Sequence, residues 1–314
     1  MTRYVLSRVL DAVLTVLLVL TLVFFAMRVL PGDPAIAALG DQASADQLAG
    51  FRALMGLEAP LPLQYVHFLW DMLRLDFGRS FRTNEPIATL LAGALPYTLE
   101  LAAAGMTVGA VIGVPAGVLA ATNRGRLPDY LARMLSLAGL CIPEFYLGAL
   151  LLIAFALHMD LFPIMGGGTT IPERLHHIVL PAVTLGLVMA AFTARLTRSS
   201  LLEVLRRDYI RTARAKGAPP GVVVWRHALR NALIPVVTGF GIYLLSMLSG
   251  SISIELVFTR PGLGSVLVSG ILARDYPVVQ AGLVVFAMFV VVVNLSMDLL
   301  YAVIDPRIRL AEGG

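Results

Sequence analysis

The chain has one lysine, Lys216, one cysteine, Cys141, and only 14% charged residues. Each scarcity removes a class of function. A phosphate-cradling loop of the form G-x-x-x-x-G-K-[ST] needs a lysine beside its glycine turn, and the motif is absent, so the chain does not hold ATP by that route. A single cysteine allows neither a disulfide framework nor a Cys-based metal site, and inside an apolar run Cys141 reads as a small buried apolar residue. The adjacent His176 and His177 have no His or Cys partners at ligand spacing and read as an interfacial pair, not a metal site. Ser199 and Ser200 lack a nearby His base and read as a helix start or the polar end of a bundle, which leaves a membrane-embedded hydrolase without its nucleophile. The formal charge of +4 comes with no aromatic-interleaved basic face, so nucleic acid is not an expected partner.

What the chain has is apolar sequence. Hydrophobic residues make up 58%, well above the roughly half found in soluble domains, and runs of about 20 apolar residues recur along most of the length. The expected fold class is an all-α polytopic membrane protein with six transmembrane helices, near 9–29, 97–121, 134–157, 178–198, 232–257 and 280–303. The first run follows Arg3 and Arg8 as a secretory signal would. It is too long for a signal core and offers no small-residue cleavage site, so it is expected to stay as a membrane helix. Gly109, Gly113, Pro115 and Gly117 in the second run, and Pro143 and Gly148 in the third, suit close packing or kinks.

Basic residues orient the spans, because Lys and Arg in short loops favour the cytoplasm. With both termini inside, 16 of the 24 basic residues fall on that side, and four of the other eight lie in one long loop where the rule has little force. The expected organisation is an N-terminal helix (1–30), an extracytoplasmic insert (31–95), a five-helix core (96–305) carrying a cytoplasmic segment (199–231), and a cytoplasmic tail (306–314). The insert has turn-rich ends at 30–34 and 58–62 around a helical pattern in 64–73. Segments 162–168 and 260–267 look like packed mouth loops or half-helices.

Charges inside spans are costly, about 2.5–3.5 kcal/mol at mid-bilayer on insertion scales. Asp11, Glu100, Glu144, Glu255 and Asp298 lie in or near spans. No two sit at helical pair spacing, so structural or pore-lining roles are the main expectation for them, and Glu144, following Pro143 in mid-span, is the candidate for a direct part in a substrate pathway.

The most informative stretch is 208–235, DYIRTARAKGAPPGVVVWRHALRNALIP. Asp208 starts a helix through Tyr209, Ile210, Arg211, Thr212, Ala213, Arg214, Ala215 and Lys216, and Gly217 stops it. Ala213 and Ala215 allow close backbone approach, while Arg211, Arg214 and Lys216 supply donors for an acidic or carbonyl-lined groove. Pro219 and Pro220 force a turn, and Val222–Asn231 is expected to form a second amphipathic helix leading to Ile234-Pro235. The product is a short rigid knob on two membrane helices, suited to receiving force from a partner. A basic helix lying on anionic lipid is the alternative.

This stretch resembles the cytoplasmic coupling segment of ABC-importer permeases, in the dipeptide, oligopeptide and nickel branch, where Arg-Thr-Ala-Arg-Ala-Lys-Gly precedes His-Ala-Leu-Arg-Asn-Ala-Leu-x-Pro. Further matches cover essentially the whole chain: Tyr4-x-x-x-Arg8, LPGDP (30–34), LDFGRS (75–80), PYTLEL (96–101), IPEFYLG (142–148), FTRPGLG (258–264) and DPRIR (305–309). Arg211-Thr212-Ala213 stands where importers generally carry Glu-Ala-Ala, and the gap from Gly217 to Pro235 is longer than in sugar importers; both fit the peptide branch. The resemblance implies a type I importer permease in the bacterial inner membrane, not an enzyme. It would pair with a homologous second permease, couple through Tyr209–Gly217 to two cytosolic ATP-binding subunits, and receive cargo from an extracytoplasmic binding protein. No cofactor is expected on this chain, with ATP and Mg on the partner subunits. Dipeptides or oligopeptides are the implied cargo, ahead of nickel, glutathione or other small solutes. The competing class, an ion- or proton-coupled secondary transporter acting without an ATPase, would call for paired mid-span carboxylates and internal repeats, and neither is present.

Overall fold

The computed structural model describes residues 2–29, 35–36, 43–54 and 58–304. LPGDP (30–34) and DPRIR (305–309) lie outside the described residues. The helices in chain order are α1 (Thr2–Val29), α2 (Ala45–Leu54), α3 (Leu61–Leu73), α4 (Ile87–Thr122), α5 (Leu127–Cys141), α6 (Glu144–His158), α7 (Ile171–Val204), α8 (Asp208–Ala215), α9 (Pro220–Val257), α10 (Leu263–Leu272) and α11 (Tyr276–Ile304). No strand occurs among the described residues. Among the described residues five helices are long and apolar enough to cross a membrane, namely α1, α4, α7, α9 and α11, and the bent pair α5–α6 makes six if it is counted as one span. Helices are the economical answer here, since a span in lipid must satisfy its backbone hydrogen bonds internally.

The third span is not the continuous run its hydropathy suggests. α5 and α6 meet at 103°. Pro143 disfavours the helical region for the residue before it, and Ile142 is extended at φ −82°, ψ 125°. Glu144 therefore opens α6 at the break, not within an uninterrupted helix. Cys141, expected to be buried, is exposed at the end of α5, because the chain leaves its helix there. The second half of α6, Leu152–His158, is π-helical.

The chain divides into two compact units. The first comprises residues 1–97 and 261–295. In it Val23, Phe24 and Met27 of α1 pack with Phe68 of α3 and Val279 and Val284 of α11. Phe24 meets Tyr65 edge-on at 5.1 Å, the Tyr65 hydroxyl bonds that of Thr21 at 2.6 Å, and Arg28 donates to Gln64 Oε1 at 2.8 and 3.1 Å. The insert thus carries its predicted helix, together with α2, which its sequence pattern did not announce. The LDFGRS motif is pinned within the same unit. Asp275 accepts from Ser80 Oγ at 2.5 Å and from the Phe81 N–H at 3.2 Å, while Arg82 Nε donates to the Ala273 carbonyl at 3.0 Å. Segment 260–267, expected as a loop or half-helix, begins the ten-residue apolar helix α10.

The second unit comprises 98–260 and 296–314. Here α7 packs along α5, α6 and α9. Association of helices in lipid rests on close packing, not on a hydrophobic drive, which favours small contact residues. Gly113 and Gly117 of α4 lie over Thr193 and Thr197 of α7, and a Cβ at either glycine would stand 2.6 Å from the threonine Cβ. One apolar core joins Leu101, Leu185, Met189, Met247 and Ile254. A second, at the other end of the helices, joins Val118, Leu201, Ile210, Val223, Leu229 and Ala232. α7 begins at a capping box on Thr170 and Glu173 and runs through Pro181.

Candidate functional site: a docking knob, a carboxylate at a helix break, and an ion cluster

The knob forms as its sequence predicts in its first half. α8 starts at Asp208, ends at Ala215, and is followed by Gly217 at φ +79°, a left-handed conformation that costs other residues about 1–2 kcal/mol. Its inner face is anchored. Ile210 is fully buried in the second core, a contribution of about 1.5–3 kcal/mol for a side chain of that size. Asn231 Nδ2 donates to the Tyr209 hydroxyl at 2.8 Å, tying α8 to α9. Its outer face is open. Arg211 is exposed and pairs with Asp208 at 3.4 Å across one turn, an arrangement worth little in solvent. Thr212, Arg214, Ala215, Lys216 and Gly217 are exposed, and Ala213 is partly so. Arg214 also borders an open groove of about 1010 Å³ with Leu119, Leu205 and Trp225.

The second half differs from expectation. Val222–Asn231 is not a separate amphipathic helix: helix starts at Pro220, passes through a π-turn at Val223–Ala228, and continues as the span to Val257. Proline fits the first turn of a helix, where its missing N–H costs nothing, so the Pro-Pro pair begins the span rather than bracketing a short helix. Ser199 and Ser200 lie inside α7 rather than at a helix start, and the buried Ser200 hydroxyl donates to the Ala232 carbonyl at 2.9 Å, tying α7 to α9.

Glu144 sits where α6 meets α9. Its Oε2 occupies the space that a Cβ on Gly250 would fill, so the carboxylate rests directly on the α9 backbone. Tyr243 lies near the same carboxylate, two turns from Gly250, and its ring stacks on Phe192 at 5.0 Å. Glu144 has no basic partner among the described residues.

Two of the other candidate carboxylates, Glu255 and Glu100, have structural partners. Glu255 is fully buried and accepts from Thr98 Oγ1 at 2.6 Å. Glu100 accepts from Arg174 at 2.5 Å and from the fully buried Arg260 at 3.0 Å. Residues of PYTLEL and FTRPGLG, more than 150 positions apart, are thus joined in one ion cluster that sequence reasoning missed. Asp129 is a second omission. It is 2% exposed and held by Arg198 at 2.5 and 2.9 Å and by the Gly125 N–H at 2.9 Å. The signal for it lay in Gly125-Arg126-Leu127-Pro128-Asp129, a turn and helix start with an acid in its first turn. Asp11 lies exposed on α1, and Asp298 is partly buried near the end of α11. His176 Nε2 bonds the Leu161 carbonyl at 3.0 Å and its ring meets Phe162. No group of three or more metal-ligating side chains occurs among the described residues.

Comparison with known proteins agrees with this architecture. Residues 113–310 match the model of the binding-protein-dependent transport system inner membrane component, and 1–102 match the N-terminal model of the same class of membrane component. Relatives include the glutathione transport system permease protein GsiC of Pectobacterium atrosepticum, 41% identical over 309 residues, and that of Escherichia coli strain K12, 40% identical, each alignment covering 98% of this chain and 99% of the relative. Among solved structures, the inward-facing MetNI methionine ABC transporter superposes with a TM-score of 0.58 at 25% identity, covering 70% of this chain and 99% of that one. An amino acid ABC transporter crystallised with histidines gives 0.51 at 15% identity, covering 70% and 94%, and shares the fold. The relatives are named as permeases of a transport system, a transport component rather than an enzyme. The chain belongs to the family of inner-membrane permeases of binding-protein-dependent ABC importers.

Proposed function

We propose that the chain is one of two homologous but unlike permeases of a type I importer, that its cargo is a short peptide, and that Tyr209–Gly217 is the segment through which an ATPase subunit drives it. The observation that carries this is the knob. A short basic helix whose inner face is buried and whose outer face is open transmits a push to α7 and α9 without absorbing it. Both termini and the knob lie on the cytoplasmic side, as the distribution of basic residues favours. The insert between α1 and α4 faces outward and helps receive the binding protein. ATP and Mg belong to the partner ATPases: their closure on ATP binding draws the coupling helices together, and hydrolysis resets them, so that access alternates between two global states. Glutathione, a modified tripeptide, and dipeptides or oligopeptides fall within one cargo class, and the relatives named for glutathione support that class. Glu144 is the residue assigned to the pathway.

Replacing Ala213 with Trp tests the knob. In a reconstituted complex the variant is expected to insert and assemble with its second permease but to lose ATPase-coupled uptake. Unchanged ATP-driven uptake would refute the coupling assignment. An ion-coupled transporter acting alone would be indifferent to this change.

A further inference from the structure

A carboxylate inside a membrane protein is stable only against a partner, water or a polar pathway, because lipid leaves it unsolvated. Glu144 has three features that select among these. Its side chain lies on the bare backbone of Gly250, which holds the carboxylate in place by leaving it room. No cation of the described chain neutralises it. The α9 surface beside it is hydroxylated: Ser246 and Ser249 are exposed, with no partner for either hydroxyl among the described residues, and Tyr243 and Ser253 are partly buried. Tyr243, Ser246, Gly250 and Ser253 recur at helical spacing and so share one face. A carboxylate beside exposed hydroxyls is a poor match for hydrocarbon, so this face of α9 suits a polar pathway.

One acidic group among neutral acceptors and donors suits a small cation with several N–H groups. An ammonium has three donors and no acceptor, matching a carboxylate flanked by hydroxyl oxygens. Short peptides and glutathione each carry a free α-ammonium. We propose that Glu144, seated on Gly250 with Tyr243 near it and Ser246 and Ser253 on the same face of α9, receives the ammonium group of the cargo as it crosses. The proposal rests on the importer reading above. It assigns this chain a chemical selection of its own, for a free amino terminus, exercised after the binding protein has released its load.

The test uses the whole complex in liposomes with saturating cargo-loaded binding protein, so that transfer and not capture is read. Glutathione and dialanine are compared with their N-acetyl forms in the native complex, in Glu144→Gln and in Gly250→Ala. Glu144→Gln is expected to slow the free-amine cargoes about 10-fold or more, as loss of a charge-assisted bond would, while leaving the acetylated cargoes at their native rate. Preference for the free amine collapses. Gly250→Ala should do the same, since its Cβ displaces the flexible end of Glu144 without touching backbone. Equal slowing of both cargo forms would overturn the proposal and point to a cation on the second permease as the partner of Glu144. Undiminished preference in Glu144→Gln would overturn it outright. Uptake by the native complex separates this failure from that of the importer reading, in which the native complex itself shows no ATP-dependent uptake.

Discussion

Gly217→Ala isolates the geometry of the knob from its chemistry. Gly217 stands at φ +79° with nothing within 4 Å of the position a Cβ would take, so the substitution meets no clash and alters no donor or acceptor. Its whole effect is the strain of a non-glycine residue in the left-handed region, about 1–2 kcal/mol. That is small beside what holds the second unit together, and insertion and assembly should be unaffected. It is large for a single turn, weighting the native conformation down by about 5- to 30-fold against its competitors. The turn sets where Lys216 leaves α8 and where the chain enters α9, so binding-protein-stimulated ATP hydrolysis and uptake should both fall by a factor in that range or less. Gly217→Asn, a residue that enters the left-handed region more readily, should fall between. Gly93→Ala is the matched control, since Gly93 lies in α4 with open space around it and without a positive φ. Reconstituted complexes assayed for both activities decide the matter. Full coupling in Gly217→Ala, or the same loss in Gly93→Ala, would refute the argument.

Two further perturbations probe what supports the knob and the bundle. Ile210→Ala removes side-chain atoms fully buried beneath α8 and should cost about 2–5 kcal/mol locally. Coupling should drop although no exposed atom of the knob changes, and trypsin should cut faster at Arg211, Arg214 and Lys216; unchanged proteolysis would show that Ile210 does not anchor the segment. Arg198→Met strands the buried Asp129 with Arg133 as its remaining described cation, at 3.6 Å, and should destabilise the complex by about 3–5 kcal/mol. Thermal unfolding in detergent should register it, the double replacement Asp129→Leu with Arg198→Met should recover most of it, and ATPase activity per folded complex should stay constant. A double variant no more stable than the single would mean the site needs charge for some other reason.

The parts of the fold written in local pattern were legible. Spans α1, α4, α7, α9 and α11 announced themselves because lipid demands long apolar helices, and α8 did so through Asp208 at its start and Gly217 at its end. The break between α5 and α6 was signalled by Ile142-Pro143, yet uniform hydropathy on both sides hid it, since apolarity reports depth and not direction. Pro219-Pro220 misled in the opposite sense: a pair that reads as a turn also makes a sound helix start, and α9 runs on from it. What sequence left out was set by distance along the chain. Glu100 with Arg260, Asp129 with Arg198 and Ser80 with Asp275 are pairs that only folding brings together. The same holds for Glu144, flagged as a charge in a span but given its meaning by Gly250, which lies 106 positions away.

Driven transport in trans is the central claim, and purification of the tagged chain from its own membranes in mild detergent, followed by reconstitution, tests it most directly. The account predicts recovery with a second permease and P-loop ATPases, in a complex that takes up a short peptide only when ATP and the binding protein are both present. Recovery of this chain alone, in a form that moves solute without ATP, would contradict it.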